Sequence, residues 1–386
     1  MNKKTPKRIL IVSGEVSGDQ HGAQLVTAAL NLDPTIQFLG MGGDKMRQAG
    51  VDIRVDNKEL AVVGAIEVLS HAWPLLRAWR TLKAIIRHQP PDLVVLIDYP
   101  GFNLQIARIA KKSGIKVLYY ISPQVWAWKQ HRVKIIRKRV DKMLVVFPFE
   151  ETIYQREGVP VEYVGHPLAG KVQADISAAE ARRRFEIPEN ENARIVGLLP
   201  GSRKGEIHRL LPTILQAAEQ LKARYPDLLF MLPLASSLTA ADLKPYLRST
   251  KLPICIVREQ FYNALQLCEA AIVTSGTATL ETALLGVPMV IIYKTATITF
   301  HIAKRIIKIP YIGLCNIVAG RHIVKELIQH DANPSQIANE ISHILDDREY
   351  REQMQENLRA VKEKLGAGGG SQQAARALVE LLLENH

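Results

Sequence analysis

An aspartate that closes a wholly apolar run is the first residue of this chain that could do chemistry. Asp98 follows Leu93-Val94-Val95-Leu96-Ile97 and opens the turn Tyr99-Pro100-Gly101. A carboxylate at the end of a buried parallel strand stands where ligands collect in open α/β sheets, and loss of water there raises its pKa toward that of a useful base. The competing explanation is an ordinary turn or helix-cap aspartate. Further carboxylates lie in Ser13-Gly14-Glu15-Val16-Ser17-Gly18-Asp19, directly after the apolar run 8–12. Glu15, Ser17, Gly18 and Asp19 thus share the same kind of ligand-binding edge. His21 reads as a surface histidine at a helix start. Gly14, Gly18 and Gly22 are spaced four apart, which is not the dinucleotide-binding pattern.

Anion chemistry is suggested farther along. Residues 270–293 read as strand, small-residue turn, helix, glycine stop and strand. Ser275, Gly276 and Thr277 form the turn, where helix N–H groups and the positive helix end suit a phosphate. Glu281 lies one turn into that helix, placed to accept hydrogen bonds from sugar hydroxyls. Leu199-Pro200-Gly201-Ser202-Arg203 makes a second turn of this type, and Arg203 offers a planar donor fork. Trp126 and Trp128, on a loop after the strand at 116–121, are suited to a sugar ring or an acyl chain.

Elements that could position such groups are plentiful. At 386 residues with 47% hydrophobic content the chain has room for two α/β domains, each with strands that alternate with helices. A polar stretch after Gly165-His166-Pro167 marks the boundary, so the expected domains are 1–168 and 169–370, with the final helix 371–386 rejoining the first. The net charge of +12 points to an anionic partner, while 6% aromatic content argues against a stacking platform for single-stranded nucleic acid. Three unevenly spaced cysteines fit a reducing cytosol better than a disulfide framework or a zinc site. No segment approaches the ~20 apolar residues that span a bilayer.

Residues 60–88 carry more apolar positions than one core-facing stripe needs, among them Ile66, Leu69, Trp73 and Leu76, interleaved with Arg77, Arg80, Lys83 and Arg87. This is the pattern either of a membrane-interface helix or of a helix buried on two sides. The basic stretch 129–142 is a solvated helix face that would also suit anionic lipid headgroups.

Taken together, SGEVSGD at 13–19, the apolar run before Asp98, SPQVWAW, GHP, LLPGSR, SGTATLE and NIVAGR with KELIQ resemble the lipid-A-disaccharide synthase family almost end to end. The resemblance implies two doubly wound Rossmann-like domains facing across a cleft, the glycosyltransferase fold called GT-B. It implies inverting transfer from UDP-2,3-diacylglucosamine to 2,3-diacylglucosamine 1-phosphate, with neither metal nor other cofactor. Asp98 is then the expected base, with Glu15 and Asp19 beside it. Ser17, Gly18, Trp126 and Trp128 would line the acceptor site. The resemblance also assigns Asn316, Arg321, Glu326 and Gln329 to the donor site, Glu326 and Gln329 reading as one helix face. Expected partners are the two glycolipid substrates and inner-membrane lipids met from the cytoplasmic side, with a homodimer as an option and no nucleic acid. The alternative is another UDP-sugar enzyme on this fold, such as a UDP-N-acetylglucosamine 2-epimerase or a muramyl-lipid glycosyltransferase; the tryptophan-rich 60–88 segment speaks against a soluble-substrate epimerase. A non-catalytic nucleotide sensor at the membrane would tolerate Asp98→Asn.

Overall fold

The computed structural model describes residues 6–59, 72–127, 131–188, 193–248, 250–296, 300 and 309–384. It divides into two compact units, one built from Met1–Pro167 with Gly368–His386 and the other from Leu168–Ala367.

The first unit holds β1 (Arg8–Ser13), β2 (Gln37–Gly42), β3 (Asp52–Asp56), β4 (Leu93–Ile97), β5 (Lys116–Tyr120), β6 (Lys142–Val145) and β7 (Val161–Tyr163). They form one sheet in the order β3-β2-β1-β4-β5-β6-β7, every neighbouring pair parallel. Helices on both faces explain why the central strands are continuous apolar runs: β4 is buried at all five positions. Strand order reverses between β1 and β4, where Ser13 pairs with Ile97. Glu15 and Asp98 therefore leave the sheet side by side at its switch point. The last helix, Gly370–Leu383, packs on the helix Val16–Leu32 and on β5.

The second unit repeats the plan with β8 (Ile195–Leu199), β9 (Leu229–Leu234), β10 (Ile254–Arg258), β11 (Ala270–Thr274), β12 (Met289–Tyr293) and β13 (Glu326–Ile328). The order is β10-β9-β8-β11-β12-β13, and Val273 of β11 pairs with Leu199 of β8 at the equivalent reversal. One expectation is corrected here. Glu326 and Gln329 do not share a helix face: Glu326–Ile328 is the edge strand β13, parallel to β12, and the helix of this region is the short Leu314–Ala319. Gly320 ends that helix in the left-handed conformation, and the chain turns into the sheet.

Of the apolar segment at 60–88, residues 60–71 with Ile66 and Leu69 lie outside the described residues, as does Trp128. The remainder forms the helix Ala72–His88. Ala78, Leu82 and Ile86 enter the core, whereas Trp73 and Leu76 are 67% and 38% exposed. Arg80 lies over the Trp73 ring at 5.9 Å and Lys83 over Trp79 at 4.5 Å. Among the described residues no helix is long and apolar enough to cross a membrane.

Candidate active site

Asp98 and Tyr99 both adopt left-handed backbone, with φ of 44° and 46°. Each non-glycine residue held there costs on the order of 1 kcal/mol, so the surroundings must enforce the turn. They do so through buried hydrogen bonds. Asn103 donates from Nδ2 to the carbonyls of Ile97 (3.0 Å) and Asp98 (2.7 Å), and the Tyr119 hydroxyl donates to the Asp98 carbonyl. The neighbouring turn interlocks with it, because the Tyr99 ring lies against Gly14: a Cβ at Gly14 would sit 2.3 Å from Tyr99 Cδ1. The Asp98 carboxyl is thereby held in a largely buried position. Burial, reinforced by the Glu15 charge, pushes its pKa from 3.8 up to about 6. Asp98 faces a cavity of about 250 Å³ whose walls include Ser122, Gln124, Arg132, Phe147 and Glu150.

The other expected first-unit residues divide by what already holds them. Glu15 and Ser17 are exposed, and the Glu15 charge acts on Asp98. Asp19 is buried, and its carboxylate accepts from the N–H groups of Gly43 (2.7 Å), Lys45 (3.1 Å) and Met46 (3.1 Å). Those bonds tie the first loop to the helix Asp44–Gln48, so Asp19 braces this edge of the unit. Gly18 packs on Ser13, where a Cβ would meet Oγ at 2.4 Å. Trp126, expected to line the acceptor site, is buried, edge-on to Phe149, and its Nε1 donates to Glu150.

In the second unit the turns after β8 and β11 lie beside each other at the sheet reversal. Glu206 accepts from the N–H groups of Ser202 (2.9 Å) and Arg203 (3.2 Å), capping the helix Lys204–Arg224. With those donors taken, the turn after Gly201 offers an anion chiefly the Arg203 guanidinium, whose side chain is 84% exposed. Gly276 and Thr277 are exposed at the start of the helix Thr277–Leu284, whose first N–H groups have no carbonyl partner within the helix. Ser275 Oγ donates to the Ile312 carbonyl and Thr279 Oγ1 accepts from Leu314 N–H, which fastens this turn to the 312–314 backbone. Glu281 accepts from the Tyr262 hydroxyl (2.9 Å), and burial raises its pKa.

Asn316 and Glu326 build the scaffold behind that turn. Asn316 is fully buried; Nδ2 donates to Val324 O and Glu326 Oε1, and Oδ1 accepts from Ile323 and Val324 N–H. Glu326 also accepts from Ile312 and Gly313 N–H, both at 2.9 Å. Gln329 closes a two-way pair with the Thr295 backbone, and the exposed Arg321 donates to Asn357. The sequence motif thus reaches the candidate donor site as backbone support, because the polar groups of Asn316 are already paired.

A sequence profile described as lipid-A-disaccharide synthetase matches residues 9–379. A lipid-A-disaccharide synthase of Geobacter sulfurreducens is 53% identical over 382 residues, covering 99% of both chains. This chain belongs to the lipid-A-disaccharide synthase family. The counterpart in Coxiella burnetii is 43% identical over 376 residues, 97% of this chain and 99% of that one. The family is one of glycosyltransferases, and the fold agrees. The calicheamicin glycosyltransferase CalG4 superposes with a TM-score of 0.58 at 17% identity, covering 99% of each chain. A UDP-GlcNAc 2-epimerase from Neisseria meningitidis bound to UDP-GlcNAc gives 0.61 at 14% identity, covering 98% of this chain and 100% of the other.

Two residues of these sites escaped the sequence reading. Glu150 carried a readable signal, since Phe147-Pro148-Phe149-Glu150 is a helix start with Pro at the first position and Glu at the third. Tyr262 carried none, because its value lies in a hydroxyl that reaches Glu281 from 19 residues away.

Proposed function

We propose that the chain transfers 2,3-diacylglucosamine from UDP-2,3-diacylglucosamine to 2,3-diacylglucosamine 1-phosphate, forming the β-1,6-linked disaccharide 1-phosphate and UDP. The observation that carries this reading is Asp98: a largely buried carboxyl, raised to about 6, at the switch point of a sheet and fronting a cavity. At neutral pH such a group is mostly ionised yet more basic than an exposed carboxylate, which suits removal of the proton from the attacking 6-hydroxyl. Inversion requires one base on the acceptor side and a stabilised leaving group on the other. The second unit supplies the latter with the Arg203 guanidinium and the unpartnered N–H groups at 276–278, while Glu281 receives ribose hydroxyls. This chemistry calls on no cofactor beyond the UDP-sugar. Acyl chains that partition into a bilayer are reached from its surface: Trp73 and Leu76, with Arg77, Arg80 and Lys83 on the same helix, give the apolar and basic contacts for peripheral binding at the inner membrane. Mass spectrometry of the product made from the two diacylglucosamine substrates tests the reading. A β-1,6-linked disaccharide 1-phosphate is expected; free diacylglucosamine and UDP alone, or epimerised UDP-sugar, would reject it.

A further inference from the structure

Glu150 is a carboxylate where physical chemistry disfavours one. It is 2% exposed, and burial pushes its pKa up to about 7 despite the hydrogen bonds it accepts. A helix-capping Glu ordinarily sits in water, and an apolar side chain of similar size would fill this space without the desolvation cost. Its two oxygens hold different pieces of the first unit. Oε2 accepts from Phe147 N–H at 3.2 Å, and Oε1 accepts from Trp126 Nε1 at 3.1 Å. Phe147 belongs to one wall of the cavity in front of Asp98, and Trp126 terminates the segment 122–125 that forms another. A second tie runs in parallel, since Ser122 Oγ and the Tyr154 hydroxyl are 2.7 Å apart. The loop after β5 is thus fixed to the helix Pro148–Arg156 by side chains whose polar atoms are buried, and the buried carboxylate joins both walls.

We propose that Glu150 is a positioning residue for the transfer reaction: by gripping Trp126 and Phe147 N–H it sets the walls that present the acceptor hydroxyl to Asp98. The inference rests on the reading of Asp98 as the acceptor-side base. The shape of the cavity depends on both grips together. Losing the Trp126 grip releases segment 122–125, and the acceptor sugar then loses its fixed distance to the base. Misplacement on the order of 1 Å can cost about 100-fold in rate.

The test uses the full-length enzyme with Glu150→Gln, Trp126→Phe and the double variant, alongside Asp98→Asn. Trp126→Phe keeps an aromatic ring and removes the donor; Glu150→Gln keeps the volume and one acceptor. Each single change is expected to lower kcat/KM for the acceptor about tenfold or more, with UDP affinity measured by calorimetry unchanged within about twofold. The double variant should be no worse than the worse single one, because both act on the Trp126–Glu150 tie: the amide removes the charge that strengthens it and the phenyl ring removes its donor. Single variants with lowered melting temperature but acceptor kcat/KM within twofold of the parent would overturn the proposal, as would effects that multiply in the double variant. Asp98→Asn separates the two claims. Full activity there rejects the base assignment itself, whereas loss of activity there with Glu150→Gln unaffected rejects only the positioning role.

Discussion

Replacing Asp98 by Asn should make the protein more stable while nearly abolishing transfer. The displacement of its carboxyl from 3.8 to about 6 means that the folded state disfavours the charged form. For a carboxyl raised in this way, folding is undisturbed at low pH; stability falls as pH rises from 3.8 toward 6 and stays reduced above that. At about 1.4 kcal/mol per tenfold change in proton affinity, the full cost at neutral pH is up to about 3 kcal/mol. An amide of the same shape avoids that cost. At ~2–4 °C per kcal/mol for a domain of this size, the first unit should melt up to ~6–12 °C higher at pH 7.5. The gain should shrink below pH 5, where Asp98 itself becomes neutral. Turnover should fall roughly 100- to 10,000-fold, the usual range for a positioned base. Scanning calorimetry at pH 7.5 and pH 4.5 with an activity assay measures both. A variant that melts at or below the parent temperature at pH 7.5 would refute the electrostatic argument, and one that keeps full turnover would refute the base.

The acid limb of parental kcat/KM should lie near pH 6, with about a tenth of the plateau left at pH 5; in Glu15→Gln, a pH–rate profile should show that limb moved lower, since the Glu15 charge helps to raise Asp98. Arg203→Ala should weaken UDP binding several-fold in a calorimetric titration, and unchanged affinity would remove Arg203 from the diphosphate site. Gly14→Ala places a methyl against the Tyr99 ring and should cut kcat at least tenfold while UDP affinity holds, an outcome read from steady-state kinetics. Trp73→Ser with Leu76→Ser should raise the unbound fraction in sedimentation with anionic vesicles; these side chains are exposed, so melting temperature should not move.

Periodicity and turn chemistry made the fold readable. Runs such as Leu93–Ile97 and Ala270–Thr274, each closed by a polar or glycine turn, announced parallel strands buried on both faces and placed Asp98, Ser275 and Arg203 at strand ends. What escaped was set by partners distant in sequence. Asp19 and Glu15 look alike in the first loop, and only Gly43, Lys45 and Met46, some 24 to 27 residues later, make Asp19 a brace. Trp126 reads as a ligand-facing ring until Glu150 is seen to hold its Nε1. The segment at 326–329 has too few residues for period 2 and period 3.6 to be told apart, and pairing with β12 decides it.

The return of the helix Gly370–Leu383 to the first unit has a consequence during synthesis. The second unit is one uninterrupted stretch, Leu168–Ala367, and can close on itself as soon as it emerges. The first unit, though begun earlier, lacks the helix that covers Val16–Leu32 and β5 until all of that stretch has been made. At about 5–20 residues per second the wait lasts roughly 10–40 s. Through that interval the nascent first unit keeps that flank uncovered, and the half that begins first on the ribosome is the half that finishes last. Ribosome-bound chains arrested before residue 368 should therefore be cut by protease within the first unit and spared within the second; equal protection of both would refute this order.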